Sequence, residues 1–191
     1  MAEDAGEMMD PSEEAELRRI VVDSARHTLP GCGICVDRES EGVESSRGVA
    51  VRDELTAFLG FSGDNVRGTL TLMGPVALMR RAYPLPLRDD QPWEPEVFDW
   101  AGEVANLLLG RIKHVLATRG VDIRSSTPQV VRGEQMNVWP SRRGRLVSVR
   151  FSVDPWWIGV WFEVTTPGAA ALLRSPAAPT PLPLEGDVIL F

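Results

Sequence analysis

The sequence predicts an α+β domain built on an antiparallel sheet, with one long helix packed against it. The first observation is a helical periodicity of apolar residues near the start of the chain and again over residues 98–118. The second is the alternation of apolar and polar residues in short segments between and after these helices, which is typical of half-buried strands. The third is turn chemistry between neighbouring strands, which favours hairpins and antiparallel pairing.

The first element is a helix that begins at Asp10-Pro11-Ser12-Glu13, an N-cap followed by a proline at the first helical position. The helix continues to Leu29, because Pro30-Gly31 is a strong stop signal. Short strands are expected next, at Ile34–Val36 and Val49–Val51. These two segments are brief apolar runs, so their assignment depends on local composition alone.

The clearest hairpin joins Leu55–Phe61 to Val66–Met73 through the turn Ser62-Gly63-Asp64-Asn65. The last predicted hairpin is rich in tryptophan, which is typical of packing in a core or an interface. The elements after the first hairpin are a short helix at Pro75–Tyr83, a polar loop at Leu87–Pro95, the long helix at Phe98–Thr118, a strand at Gln129–Val131, and strands at Leu146–Val153 and Trp157–Val164 with a turn at Asp154-Pro155.

The 191 residues suffice for one buried domain with tails and are few for two. We expect an acidic lead-in at 1–10, the domain at 11–166 and a proline-rich tail at 167–191. Seven of the 27 acidic residues lie at or before Glu16, which leaves 20 acidic against 20 basic residues in the remainder. A neutral body gives no electrostatic footprint for nucleic acid or an anionic membrane. The N-terminus lacks the pattern of a signal peptide, so we expect a cytoplasmic protein.

The two cysteines form the sequence Cys32-Gly33-Ile34-Cys35. A thioredoxin-type pair requires a helix that begins at the first cysteine, whereas this pair follows a predicted helix. A zinc site requires four ligands, and only His27 and His114 are available to join the two sulfurs. We therefore expect two small buried residues at the start of a strand. A thiol or metal function is the weaker alternative.

The long helix has a wide apolar stripe and a narrow polar line. The polar line follows from helical spacing, because residues three or four apart lie on the same side of a helix. Its members are Asp99, Glu103, Asn106, Gly110 and Lys113. The apolar stripe consists of Phe98, Ala101, Val104, Ala105, Leu107, Leu108, Leu109, Ile112, Val115 and Leu116. The helix should therefore be buried over most of its circumference, with one polar line left open.

The simplest explanation of the polar line is a solvated helix face, which usually has long charged side chains. This line instead contains Asn106, a poor helix former, in mid-helix. Gly110 lies on the line and Gly102 beside it, and each glycine costs about 1 kcal/mol relative to alanine. Such departures from helix propensity concentrate at functional or closely packed sites. A glycine also removes a side chain where another molecule could approach.

Asp99-x3-Glu103-x2-Asn106, within FDWAGEVANLLLGRIK, resembles the motif of the CheC/CheX family of chemotaxis phosphatases. Pro128 follows Asn106 with 21 residues between them, where the family has about 22, and it lies in the similar stretch SSTPQVVRGE. The looser similarity extends from Ile20 to Val164. The full Asp-x3-Glu-x2-Asn motif occurs once in the chain, which places the chain nearer to CheX than to CheC.

The resemblance implies a CheC/CheX-like fold and a phosphatase that acts on the aspartyl phosphate of a CheY-type receiver domain. Asn106 would orient the attacking water, and Glu103 would dock on the receiver's active-site lysine. Asp99, Gly102 and Gly110 would contact the receiver. The protein would need no cofactor of its own, because the receiver brings its own Mg²⁺, and it would form a homodimer. The alternative is a binding module of the same fold that holds a receiver or a flagellar-switch partner without hydrolysis.

Overall fold

A computed structural model of the chain describes residues 11–41, 53–64, 66–86, 95–134, 136, 138 and 145–164. Among these residues lie three α-helices, one short 3₁₀ turn and seven strands. The helices are α1 (Pro11–Thr28), α2 (Val76–Ala82) and α3 (Pro95–Ala117), and the 3₁₀ turn is Pro30–Cys32. The strands are β1 (Glu39–Glu41), β2 (Glu54–Ser62), β3 (Arg67–Pro75), β4 (Arg124–Ser125), β5 (Gln129–Gly133), β6 (Arg145–Val153) and β7 (Trp156–Val164).

The strands form one sheet in which every pairing is antiparallel, in the order β1-β6-β7-β3-β2-β4, with β5 also paired to β2. The predicted α+β class with an antiparallel sheet is therefore confirmed. The hairpin β2–β3 has Ala57 opposite Leu72 and Leu59 opposite Leu70. The hairpin β6–β7 has Val149 opposite Val160. These registers place apolar residues of four strands on one face of the sheet.

The helices α1 and α3 pack on that apolar face and enclose the core. Val21 and Ala25 of α1 are fully buried, as are Val104 and Leu108 of α3. From the sheet, Leu59, Leu70, Val149, Val160 and Phe162 are also fully buried. Burial of this apolar surface supplies the main driving force for docking the two helices. No helix in the described ranges is long and apolar enough to cross a membrane.

The elements agree with the predicted ones to within a few residues, with two exceptions. Ile34–Val36 is not a strand, because Gly33 adopts a left-handed conformation (φ 75°) and the Ile34 amide bonds to the Leu29 carbonyl at 3.0 Å. The strand begins later, at Glu39. Strand β4 is the second exception, because the sequence predicts no strand at Arg124–Ser125. Val49–Val51, the loop at 87–94 and the segments 1–10 and 167–191 lie outside the described residues.

The tryptophan-rich hairpin packs within the chain, as expected from its composition. Trp156 packs against the core, and the guanidinium carbon of Arg81 lies 4.4 Å from the centre of its ring. The guanidinium carbon of Arg150 lies 4.3 Å from the centre of the Trp157 ring. These cation–π contacts cover part of the large apolar rings at the sheet surface.

Candidate functional site

Helix α3 carries the predicted site, and its ends follow from the sequence. Pro95 opens the helix with Glu96 in the first turn, where an acidic side chain complements the helix dipole. After Ala117 the chain turns at Gly120, whose φ of 77° favours glycine. The Val121 amide then bonds to the Leu116 carbonyl at 3.1 Å and satisfies one of the last free carbonyls. Compared with the predicted helix, residues 98–118, α3 begins three residues earlier and ends one residue earlier.

The polar line of α3 faces outward. Asp99, Glu103, Asn106 and Gly110 are exposed, and Lys113 is half-buried. Among the residues that the structure describes, the side chains of Glu103 and Asn106 have no hydrogen-bond or ion-pair partner. Their polar groups are therefore available to another molecule, at positions three residues apart on one helix face.

The two glycines of α3 serve different purposes. Gly102 is buried, and a Cβ atom there would lie 3.4 Å from both Pro128 Cγ and Val130 Cγ2. The space left by Gly102 is thus filled by the same chain, and a partner would find no gap there. Gly110 is exposed, and a Cβ atom there would meet nothing within 4 Å. Of the two glycines, only Gly110 leaves open space at the helix surface.

Pro128 is held against α3 by the segment that follows the helix. The Ser126 amide donates to the Gly60 carbonyl at 2.8 Å, and the Gly60 amide donates to Ser126 Oγ at 3.0 Å. These bonds and the pairing of β5 with β2 fix the segment along the edge of the sheet. Pro128 therefore contacts α3 one helical turn before Asn106. This contact gives a physical reason for the spacing between Asn106 and Pro128.

Leu107 is predicted to belong to the buried apolar stripe, but 44% of its surface is exposed. It follows Asn106 directly and lies on the edge of the polar line. An exposed leucine is ordinary by itself, but this one extends the site with an apolar surface. The sequence pattern groups Leu107 with Leu108 and Leu109 in the apolar stripe. Its spacing of four from Glu103 and three from Gly110 is the signal that places it beside the polar line.

The two cysteines differ in exposure. Cys32 is buried and Cys35 is exposed, and both are free thiols outside any strand. The expectation of two buried residues at a strand start is therefore wrong for Cys35, and neither residue begins a strand. Burial raises the pKa of the Cys32 thiol, and the nearby negative charge of Glu103 raises this pKa further. A thiol with a raised pKa is a poor nucleophile, which argues against thiol chemistry at Cys32.

A metal site is not formed by the described residues. Within them, no three side chains of His, Cys, Asp or Glu gather closely enough to hold a metal ion. The two cysteines thus have no additional ligands in this part of the chain. The chemistry available along the polar line of α3 is that of two carboxylates, Asp99 and Glu103, one amide, Asn106, and the adjoining apolar side chain of Leu107.

Comparison with known proteins identifies the fold and the family. A family model described as chemotaxis phosphatase CheX matches residues 55–152. The CheX structure from Vibrio vulnificus is 21% identical, with a TM-score of 0.59, covering 80% of this chain and 97% of that one. The CheX structure from Desulfovibrio desulfuricans is 18% identical, with a TM-score of 0.61, covering 78% and 99%.

A third solved structure is a CheX–CheY–BeF3–Mg²⁺ complex from Borrelia burgdorferi, 17% identical with a TM-score of 0.52, covering 82% of this chain and 99% of that one. A search of curated proteins gave no significant match. The family match spans more than half of the chain and includes the whole of α3. The chain therefore belongs to the chemotaxis phosphatase CheX family.

Proposed function

We propose that this member of the CheX family hydrolyses the aspartyl phosphate of a CheY-type receiver domain. The observation that carries the proposal is the exposure of Glu103 and Asn106 on one face of α3. A site that acts on another protein must be reachable, and a buried Asn106 would have been incompatible with this function. The family membership supplies the reaction class, and the α3 surface supplies the residues.

Asn106 orients the water that attacks phosphorus. Its side-chain amide has no partner among the described residues, so both its donor and its acceptor are free to hold a water molecule. Water attacks in line, the bond between phosphorus and the aspartyl oxygen breaks, and the products are aspartate and inorganic phosphate. Phosphoryl transfer depends mainly on positioning and charge neutralisation. A neutral amide positions water without repelling the phosphoryl oxygens.

Glu103 docks on the lysine of the receiver's active site and fixes how the two proteins align. Its carboxylate is exposed and has no cationic partner among the described residues. An ion pair with the receiver therefore requires no internal ion pair to break first. The carboxylate lies about one turn from Asn106, so a single helix presents both the docking group and the water-positioning group.

The surrounding surface of α3 completes the contact with the receiver. Asp99 lies on the same exposed line, and Gly110 leaves room for close approach of the partner's backbone. Leu107 adds an exposed apolar side chain beside Asn106. An apolar anchor next to polar groups is a common composition of a protein interface. Mg²⁺ is provided by the receiver, and the relative from Borrelia burgdorferi forms a complex with CheY, BeF3 and Mg²⁺.

The homodimer is also part of this proposal. Strand β5 pairs with β2 on one side and with no other strand in the described part of the chain, and Val131 of β5 is 45% exposed. An unpaired strand edge with an apolar residue is suited to association with a second copy. Light scattering coupled to gel filtration should give twice the 21.0 kDa chain mass. A monomer at all concentrations tested would contradict this part.

The function is tested by following the decay of a phosphorylated CheY-type receiver with and without the protein. We expect acceleration by the wild type and a loss of about 100-fold or more in Asn106→Ala, as for removal of a single positioned catalytic group. Gln129→Ala is the matched control, because it removes an exposed amide from β5 and should retain full activity.

Each outcome of this experiment is informative. Equal activity of Asn106→Ala and the wild type would contradict the role of Asn106. No acceleration of any candidate receiver, together with measurable binding, would favour the non-catalytic binding module. An equal loss in the Gln129→Ala control would indicate that the effect is not specific to the site.

A further inference from the structure

A cleft between α1 and α3 is separate from the surface that presents Glu103 and Asn106. Its volume is about 250 Å³. The lining residues are Arg19, Ile20, Asp23 and Ser24 of α1, Arg111 and Val115 of α3, and Arg119 just after α3. Three guanidinium groups therefore surround one small space, although the body of the chain has no overall excess of basic residues.

Ser24 provides an independent indication that the cleft is a binding site. Only 1% of its surface is exposed, and its hydroxyl has no hydrogen-bond partner among the described residues. A buried hydroxyl without a partner destabilises a folded protein, since it has lost water and gained nothing. Such a group at the wall of a cleft would gain a partner when a polar ligand binds there.

The charges around the cleft favour an anion. Arg19 and Arg119 both contact Glu16, with distances of 2.7–2.8 Å for the Arg19 hydrogen bonds. Asp23 lies 3.6 Å from Arg19 and adds a second carboxylate. Arg111 has no ion-pair partner among the described residues and is exposed. Three cationic groups against two carboxylates leave one net positive charge at the cleft.

The chemistry of the walls narrows the class of ligand. Guanidinium groups bind phosphoryl oxygens through paired hydrogen bonds, and a serine hydroxyl donates to the same oxygens. Ile20 and Val115 add an apolar wall beside the charged groups. The volume lies just below the usual range for ligand pockets, which favours a small molecule over a dinucleotide.

We propose that this cleft binds the phosphoryl group of a small phosphate monoester. Arg111 and Ser24 would bind the phosphoryl oxygens directly, and Arg19 and Arg119 would add positive charge to the lining. The site is distinct from the phosphatase surface and does not depend on its activity. Arg111 lies one helical turn after Leu107, so a bound anion would neutralise a positive charge close to the receiver-docking face.

Titration calorimetry with inorganic phosphate and with phenyl phosphate, at constant ionic strength set by chloride, tests the proposal on the full chain. We expect saturable binding of one equivalent, tighter for phenyl phosphate because of the apolar wall. Arg111→Gln should weaken binding roughly tenfold, as expected for loss of one charge-assisted hydrogen bond. Arg124→Gln, which removes an exposed arginine from β4, is the matched control and should bind like the wild type.

Ser24→Ala distinguishes a binding residue from a structural one. It should weaken binding of phenyl phosphate about threefold to tenfold while raising the melting temperature, since it removes the unpartnered hydroxyl and favours the helix. Asn106→Ala should bind both probes like the wild type, which separates the cleft from the phosphatase surface.

Three results would overturn the proposal of an anion site, and a fourth would overturn its assignment to a monoester. The first is the absence of saturable binding of both probes, and the second is unchanged binding in both Arg111→Gln and Ser24→Ala. The third is equal weakening in Arg111→Gln and Arg124→Gln, which would indicate binding by overall charge alone. If inorganic phosphate bound as tightly as phenyl phosphate, the ligand would be free phosphate and the assignment of a monoester would be wrong.

Discussion

Two glutamates, one near each end of α3, differ in whether arginine side chains neutralise their charge. At the C-terminal end, Glu16 of α1 is bound by Arg19 and Arg119, and its pKa is lowered to about 2. The hydrogen bond from Arg19 is the largest cause, and the contacts of Arg119 add to it. Nearer the N-terminal end, Glu103 is exposed and has no cationic partner among the described residues.

This difference separates a charge used for folding from a charge available for binding. The two arginines neutralise Glu16 within the molecule and link α1 to the residue that follows α3. The charge of Glu103 is not neutralised by the described residues and acts on its surroundings, since it raises the pKa of Cys32. We expect stability to depend on Glu16 and partner binding to depend on Glu103. The following substitutions test this expectation, from the largest effect to the smallest.

Gly102→Val and Gly110→Val form a matched pair on the packed and open sides of α3. Gly102→Val should lower the free energy of unfolding by about 1–3 kcal/mol, because the added atoms would press against Pro128 and Val130. Gly110→Val should leave stability nearly unchanged and should weaken receiver binding. Urea unfolding measured for both variants checks the comparison, and equal destabilisation of the two would contradict it.

Glu103→Gln keeps the shape of the side chain and removes its charge. The KM for the phosphorylated receiver should rise about tenfold with a small change in kcat, because the lost interaction contributes to docking. The free energy of unfolding should stay within about 0.5 kcal/mol of the wild type, as usual for an exposed position. A fall in kcat at unchanged KM would instead place Glu103 in the chemical step.

The same Glu103→Gln variant should lower the pKa of Cys32, because one of the two causes of its raised value is removed. The pKa should remain above its ordinary value, since burial is the larger cause. Alkylation of the thiols followed against pH by mass spectrometry measures this, with exposed Cys35 as an internal reference in the same chain. An unchanged pKa of Cys32 would contradict the electrostatic link.

Glu16→Gln should reduce stability near neutral pH by less than about 1 kcal/mol, as for a surface ion-pair network, and leave receiver binding intact. The pKa of Glu16 in the folded chain is lowered from 4.5 to about 2, so its contribution is fully present above pH 4.5. The contribution is lost as the pH falls from 4.5 towards 2. The difference in unfolding free energy between wild type and variant should therefore shrink over that range, and a constant difference would contradict the assignment.

Much of the candidate site could be predicted from the sequence, because it lies on one helix. Helical spacing alone put Glu103 and Asn106 on one face, and the structure places both at the surface. The role of Gly102 could not be predicted, since the residue that fills its space is Pro128, which lies 26 positions later. The run of three leucines predicts a buried Leu107, whereas its helical spacing from Glu103 and Gly110 places it at the edge of the apolar stripe, where the structure exposes it.

Local signals determined the helices and the two long hairpins. Alternation, turn residues and caps act within a few positions, so they fix an element wherever it lies in the fold. The prediction of a strand at Ile34–Val36 is wrong because an apolar run resembles a strand, whereas the Gly33 turn makes this segment irregular backbone that buries Ile34 and exposes Cys35. Strand β4 has two exposed residues and therefore no periodic signal.

The sequence by itself determined the fold class, the long helix and the pair of residues that it exposes. Tertiary structure alone decided which glycine of α3 is packed and which is open, that Glu103 lies near Cys32, and that Arg19, Arg111 and Arg119 meet around one cleft. The physical reason is that these contacts join residues far apart in the chain. Their proximity depends on how α1 and α3 dock on the sheet, which no local pattern specifies.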